Sequence, residues 1–156
     1  FTEEASSHIL FRIPVRMDDR IYDHRSNAKG KRMRNLRSEG NAGERIAGLF
    51  LEQHGVRILE RNFRRGRQGE IDLIGFDQDT LVFFEVKLRR SERCGTPEAA
   101  VTYSKQKTIC RTADYYRFLH RISENCPIRF DVVAIRRSGA NGAAVHWIRN
   151  AFPYHR

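Results

Sequence analysis

Two short apolar runs, at residues 71–76 and 81–88, flank the polar stretch Asp77-Gln78-Asp79-Thr80. Ile, Leu, Val and Phe dominate both runs, which suits buried strands, and the short link between them predicts an antiparallel hairpin. Ile71, Leu73, Ile74, Val82, Phe83, Phe84 and Val86 fall on both faces of such a hairpin. A strand that is apolar on both faces must be covered on both, so this hairpin belongs at the centre of a sheet packed between layers.

Charged residues interrupt the runs at Glu70, Asp72, Glu85 and Lys87. A loop centred on Gln78 and Asp79 sets Asp72 opposite Glu85 and Glu70 opposite Lys87, and the alternation of side chains along a strand brings all four to one face. Directly opposed Cβ atoms lie roughly 4.5 to 5.5 Å apart. Two carboxylates that close repel by roughly 3 kcal/mol at an effective dielectric near 20, so a buried pair needs a cation. Lys87 supplies one positive charge. Hard oxygen ligands with an open side also suit Mg²⁺ or Mn²⁺, which keep positions for water or substrate oxygens. The alternative is a solvated hairpin face with no chemical task, and the apolar neighbours on both faces count against it.

Upstream, Ile46, Ala47, Leu49, Phe50 and Leu51 recur at helical spacing, which predicts a helix over 42–54 stopped by Gly55. Asn41 and Glu44 at its start resemble a capping box, in which Glu44 suits the positive helix end. Residues 56–63 read as a strand. Gly95-Thr96-Pro97 reads as a turn in which Thr96 caps and Pro97 opens a second helix. There Val101, Lys105, Thr108, Ile109, Thr112, Ala113, Tyr116 and Leu119 form a stripe at three- and four-residue spacing. Lys105, near its start, either reaches a phosphate or lays its aliphatic stem along the core. Residues 128–136 and 144–148 complete the sheet, with Asp131 set among apolar neighbours where Arg129 or a loop can pair with it. The order helix, strand, hairpin, helix, strand, strand predicts an α/β domain, a mixed sheet flanked by helices.

Asp72, followed after the hairpin by Glu85-Val86-Lys87, resembles the D…ExK core of the PD-(D/E)xK nuclease superfamily. A wider set resembles the YraN-like family of bacterial proteins, related in fold to archaeal Holliday junction resolvases. It comprises Gly43-Glu44, Asn62, Gly69-Glu70-Ile71-Asp72-Leu73-Ile74, Phe84-Glu85-Val86-Lys87, Arg89, Gly95, Lys105-Gln106, Arg129-Phe130-Asp131-Val132 and Asn150-Ala151-Phe152. The resemblance implies a restriction endonuclease-like mixed sheet whose central hairpin carries the active site. It further implies a Mg²⁺- or Mn²⁺-dependent DNA endonuclease, with branched or flapped DNA as a candidate substrate. In that reading Asp72, Glu85 and the Val86 carbonyl bind metal, Glu44 is a further acidic ligand, Lys87 is the catalytic lysine and Glu70 supports it. Junction-resolving relatives act as dimers, which makes a homodimer a candidate. The competing class is a nucleic-acid-binding protein that keeps the fold and cleaves nothing, because fold and motif do not establish turnover.

Charge agrees with a polyanionic partner. Lys and Arg number 29 against 19 Asp and Glu, a formal net charge of +10 over 156 residues. Charge alone would equally suit a ribosomal or membrane-surface protein, so its distribution matters more. Arg64, Arg65 and Arg67 crowd the segment entering the hairpin, and Arg89 lies with Arg90 and Arg93 on the segment leaving it. Together with Lys105 they are the candidate contacts to nucleic acid, DNA first.

No apolar run approaches the roughly 20 residues of a membrane span. The three cysteines, Cys94, Cys110 and Cys126, lack zinc spacing, and the six histidines are scattered singly. With no export signal in view, reduced thiols and a cytoplasmic location are expected. One domain is expected over 42–156. Residues 1–41, with the basic run Lys29-Gly30-Lys31-Arg32-Met33-Arg34, are expected to form a mostly disordered basic extension. Met17 or Met33 is then a candidate start, which the intact mass of the native protein tests.

Overall fold

The computed structural model describes residues 13–14, 28–89, 101–138 and 142–155, with side chains at 40–88, 101–136 and 142–155. The elements in chain order are β1 (Ile13–Pro14), α1 (Ala28–Gln53), β2 (Val56–Arg64), β3 (Glu70–Asp77), β4 (Thr80–Arg89), α2 (Tyr103–Leu119), β5 (Ile128–Ser138) and β6 (Gly142–Ile148). Six strands form one sheet in the order β1-β6-β5-β4-β3-β2. Neighbours are antiparallel except β4 and β5, which run parallel and have α2 between them in sequence. A parallel pair needs such a crossover, whereas the β3–β4 hairpin needs only its tight loop. This mixed sheet flanked by helices is the architecture the sequence pattern predicts, and it is consistent with a restriction endonuclease-like fold.

The hairpin has the register expected from its loop, from Asp77 opposite Thr80 to Leu73 opposite Phe84. Gln78 makes the reversal by taking a left-handed φ of 54°. Side-chain alternation then sorts the apolar residues between two cores. Ile74, Leu81, Phe83, Phe130 and Val132 pack with Ile109, Ala113 and Tyr116 of α2. Leu73, Val82, Phe84, Val133 and Ile135 pack with Ala47, Phe50 and Leu51 of α1. Each fully buried Phe or Leu stabilises the fold by about 1.5–3 kcal/mol relative to exposure.

Helix α1 departs from expectation at its start. It begins at Ala28, so Asn41 and Glu44 lie inside it and the capping reading of Glu44 does not hold. The basic run at 29–34 is therefore helical, where disorder was expected, and the two residues of β1 pair with β6 at the sheet edge. Expected behaviour of 1–12 and 15–27 lies outside the described residues. At the other end Gly55 stops the helix as expected, at φ 87°. Leu49 points away from the core and is 54% exposed.

In α2 the buried stripe is Ile109, Cys110, Thr112, Ala113 and Tyr116, while Leu119 is exposed. Its N-cap is Thr102, whose hydroxyl accepts the Lys105 N–H. The expected Gly95-Thr96-Pro97 turn lies outside the described residues, as do Arg90, Arg93 and Cys94. Cys110 and Cys126 are both free thiols. Among the described residues no helix is long and apolar enough to cross a membrane.

Candidate metal and phosphate site

The site forms where β3 leaves β4. Their last paired residues are Leu73 and Phe84, so Asp72 and Glu85 are not ladder partners as the extrapolated register required. Instead the Asp72 side chain takes over the ladder's role, its Oδ2 accepting the Val86 N–H at 2.7 Å. The same point breaks the alternation of β3. Ile71 packs with the α2-side core, yet Leu73, two residues on, packs with the α1-side core. On β2 the residue before Phe63, Asn62, has a left-handed φ of 55°. Asp72 therefore lies where the alternation of β3 breaks, between the Arg61–Leu73 and Phe63–Ile71 pairs.

On β4, alternation sends Glu85 and Lys87 to the α2 side. Glu85 is buried, 5% exposed, and Lys87 Nζ donates to its Oε1 at 2.7 Å. Its other oxygen, Oε2, is buried and accepts no hydrogen bond among the described residues; Lys105 Nζ, from the first turn of α2, stands 3.5 Å away. Burial raises the Asp72 carboxyl most, and repulsion from Glu85 adds to it, against the Val86 hydrogen bond and the Lys105 charge; the balance pushes its pKa up to about 7. Glu44 contributes a smaller repulsion. It reaches this neighbourhood because α1 lies tightly against β4 at Gly43, where a Cβ would stand 3.0 Å from Leu88 Cγ.

Glu70 is placed differently from expectation. The β3–β4 ladder ends at Leu73 and Phe84, so Glu70 is not a ladder partner of Lys87; on the β2 side it lies opposite Arg64, whose Nε its carboxylate meets at 3.3 Å. Asp72, Glu85, Lys87 and Lys105 are thus gathered, with Glu44 near them, while Glu70 pairs with Arg64. Among the described residues no group of three or more His, Cys, Asp or Glu side chains is set to hold a metal. The donor set that fits a hard cation is two carboxylates together with backbone oxygen, of which the Val86 carbonyl is the candidate. The buried, unbonded Glu85 Oε2 and the strained ionisation of Asp72 are what a divalent ion would relieve.

Beside the carboxylates, between the β2–β3 turn and the start of α2, lies a cleft of about 490 Å³ whose charged lining is Arg64, Arg67, Glu70 and Lys105. Gly69 lets the two elements close up, since a side chain there would run into Thr108 and Thr112 of α2. Arg65 does not line the cleft. Its guanidinium lies over the Tyr115 ring, 5.4 Å from the centroid, and reaches the Arg111 carbonyl. The Arg89 side chain lies outside the described residues.

A second polar cluster carries the pairing of Asp131 with Arg129 and a loop that the sequence led us to expect, and adds Trp147 and Asp77, which it did not. Asp131 is fully buried and accepts from Arg129 Nε at 2.8 Å, Trp147 Nε1 at 2.8 Å and the Asn150 N–H at 2.8 Å. Arg129 also grips Asp77 at 2.7 Å. Burial alone would lower the Arg129 pKa, but its hydrogen bonds to Asp131 and Asp77 raise it overall. Asp131 stands opposite Phe84 in the β4–β5 ladder, one position from Glu85 opposite Val132, so this cluster anchors the strand that supports the site.

The family model described as uncharacterised protein family UPF0102 matches residues 43–135. A UPF0102 protein of Aliivibrio fischeri strain MJ11 is 40% identical over 122 residues, covering 78% of this chain and 96% of the relative. One from Nitrosospira multiformis is 44% identical over 117 residues, covering 75% and 94%. One from Symbiobacterium thermophilum is 48% identical over 117 residues, covering 74% and 97%.

Proposed function

The chain belongs to the UPF0102 family, and from its paired carboxylates we propose that it is a metal-dependent nuclease hydrolysing phosphodiester bonds in DNA, branched or flapped forms included. The observation that carries this reading is the Asp72–Glu85 pair, in which Glu85 is buried with its Oε2 unbonded among the described residues, with Lys87 alongside. Asp72, Glu85 and the Val86 carbonyl would hold Mg²⁺ or Mn²⁺, which supplies positive charge beside the phosphate and makes water a better nucleophile.

The chain's own groups do the rest. Asp72 is fixed by the Val86 N–H, so its carboxylate is pre-oriented and needs little rearrangement to act. Lys87 is anchored by Glu85 and about a third exposed, which leaves its ammonium able to steady charge developing on the phosphate. Arg64 and Arg67 border the adjoining cleft, where they suit flanking phosphates. Glu70 keeps Arg64 in place there, in contrast to a direct role at the reacting atoms.

The test is cleavage of linear, flapped and four-way DNA in Mg²⁺ and in Mn²⁺ by the parent, Asp72→Ala and Lys87→Ala. The expected result is metal-dependent cutting by the parent that falls at least about 100-fold in both variants. Salt-sensitive DNA binding without cutting in either metal would replace this reading with a non-catalytic binding protein.

A further inference from the structure

Lys105 occupies a position that its charge alone disfavours. It lies in the first turn of α2, three residues after the Thr102 cap, and that turn holds no acidic residue. A helix start carries partial positive charge and favours anions, so an ammonium there needs a separate reason. Glu85 provides one, because Lys105 Nζ is 3.5 Å from Oε2, the buried oxygen that accepts no hydrogen bond among the described residues. The side chain is 31% exposed and also borders the cleft lined by Arg64 and Arg67. One ammonium thus stands between the carboxylate pair and the phosphate cleft.

We propose that Lys105 is a stand-in for the divalent cation, neutralising Glu85 Oε2 while metal is absent and moving into the cleft to hold a neighbouring phosphate when metal takes that oxygen. This rests on the metal-dependent reading above. Two cations cannot share one buried carboxylate oxygen without repulsion, so the lysine opposes metal in the free protein. Lysine's flexible four-carbon stem allows the head to move while the helix stays fixed. An anion in the cleft rewards the displaced ammonium, so metal and nucleic acid strengthen each other's binding through this residue.

The test titrates Mn²⁺ calorimetrically into the parent, Lys105→Met and Lys105→Arg. A parallel arm measures DNA affinity by fluorescence anisotropy with and without Ca²⁺, a hard cation that uses similar oxygen ligands. Lys105→Met is expected to bind Mn²⁺ about fivefold tighter than the parent, equivalent to about 1 kcal/mol, and to lose most of the gain in DNA affinity that Ca²⁺ gives the parent. Lys105→Arg, which keeps the charge, is expected to resemble the parent in both arms. Equal or weaker Mn²⁺ binding by Lys105→Met overturns the stand-in role and leaves the metal site intact. Absence of Mn²⁺ binding by the parent overturns both. Lys105→Gln repeats the comparison if Lys105→Met is poorly folded.

Discussion

Replacing Asp131 with alanine is expected to destabilise the protein by about 3–5 kcal/mol, the cost typical of breaking a buried ion pair from one side. The carboxylate is fully buried and accepts from Arg129, Trp147 and the Asn150 backbone. Among the described residues, alanine leaves the Arg129 guanidinium with Asp77 alone and strands the buried Trp147 Nε1–H without its acceptor. The loss should also reach the site, because β5 is the parallel partner of the strand bearing Glu85 and Lys87. Urea unfolding of the two proteins measures it, and a difference under about 1 kcal/mol would show that the cluster contributes little net stability.

Asp72→Asn should have the opposite sign. The Asp72 carboxyl has an ordinary value of 3.8 and titrates at about 7 in the fold. Below both values it is protonated in the folded and unfolded chains and its ionisation contributes nothing. As pH rises between them, the unfolded chain releases the proton while the folded one holds it, so stability falls, and the full loss is reached above about 7. A displacement of that size corresponds to about 4 kcal/mol, reduced to about 2 kcal/mol by solvent at the rim of the site. Metal-free Asp72→Asn is therefore expected to be more stable than the parent near pH 8 by about 2 kcal/mol, with the gain vanishing toward pH 4. Saturating Mg²⁺ or Mn²⁺ should remove the advantage, because the ion stabilises the ionised parent and not the amide. Thermal unfolding across this pH range, with and without metal, reads both effects. A variant less stable than the parent at every pH would show that the carboxylate is not held at a cost.

The hairpin was legible because its signals agree. Apolar runs, a short polar loop and alternation all specify one register, and the ladder follows it from Thr80 to Phe84. Extrapolation failed one residue further, at Asp72, where a side chain replaces a backbone partner for Val86; strand periodicity carries no sign of such a substitution. Glu70 went astray by the same extrapolation, since it lies beyond the last β3–β4 pair and its carboxylate meets Arg64 of β2.

Glu44 was linked to Asp72 by the family resemblance alone, and the close approach of Gly43 to Leu88 gives the packing that brings α1 against β4. The helix start was misplaced because 28–41 lacks the apolar stripe that marked 42–54. The meeting of Lys105 with Glu85 joins a helix start to a strand and is not encoded in any local period. A sequence signal did exist, a lysine in a first helical turn without an acidic residue. Asp131 stood out as a charge in an apolar strand, yet Trp147 gave no sign of being its donor.

The central claim is that Asp72 and Glu85 together hold a divalent cation beside Lys87. Electron paramagnetic resonance of Mn²⁺ added to the full chain near pH 8, where Asp72 is ionised, tests it most directly. The parent is expected to bind a single ion tightly, and Glu85→Gln to bind it at least roughly tenfold more weakly. Free Mn²⁺ throughout the parent titration, or undiminished binding by Glu85→Gln, would contradict the account.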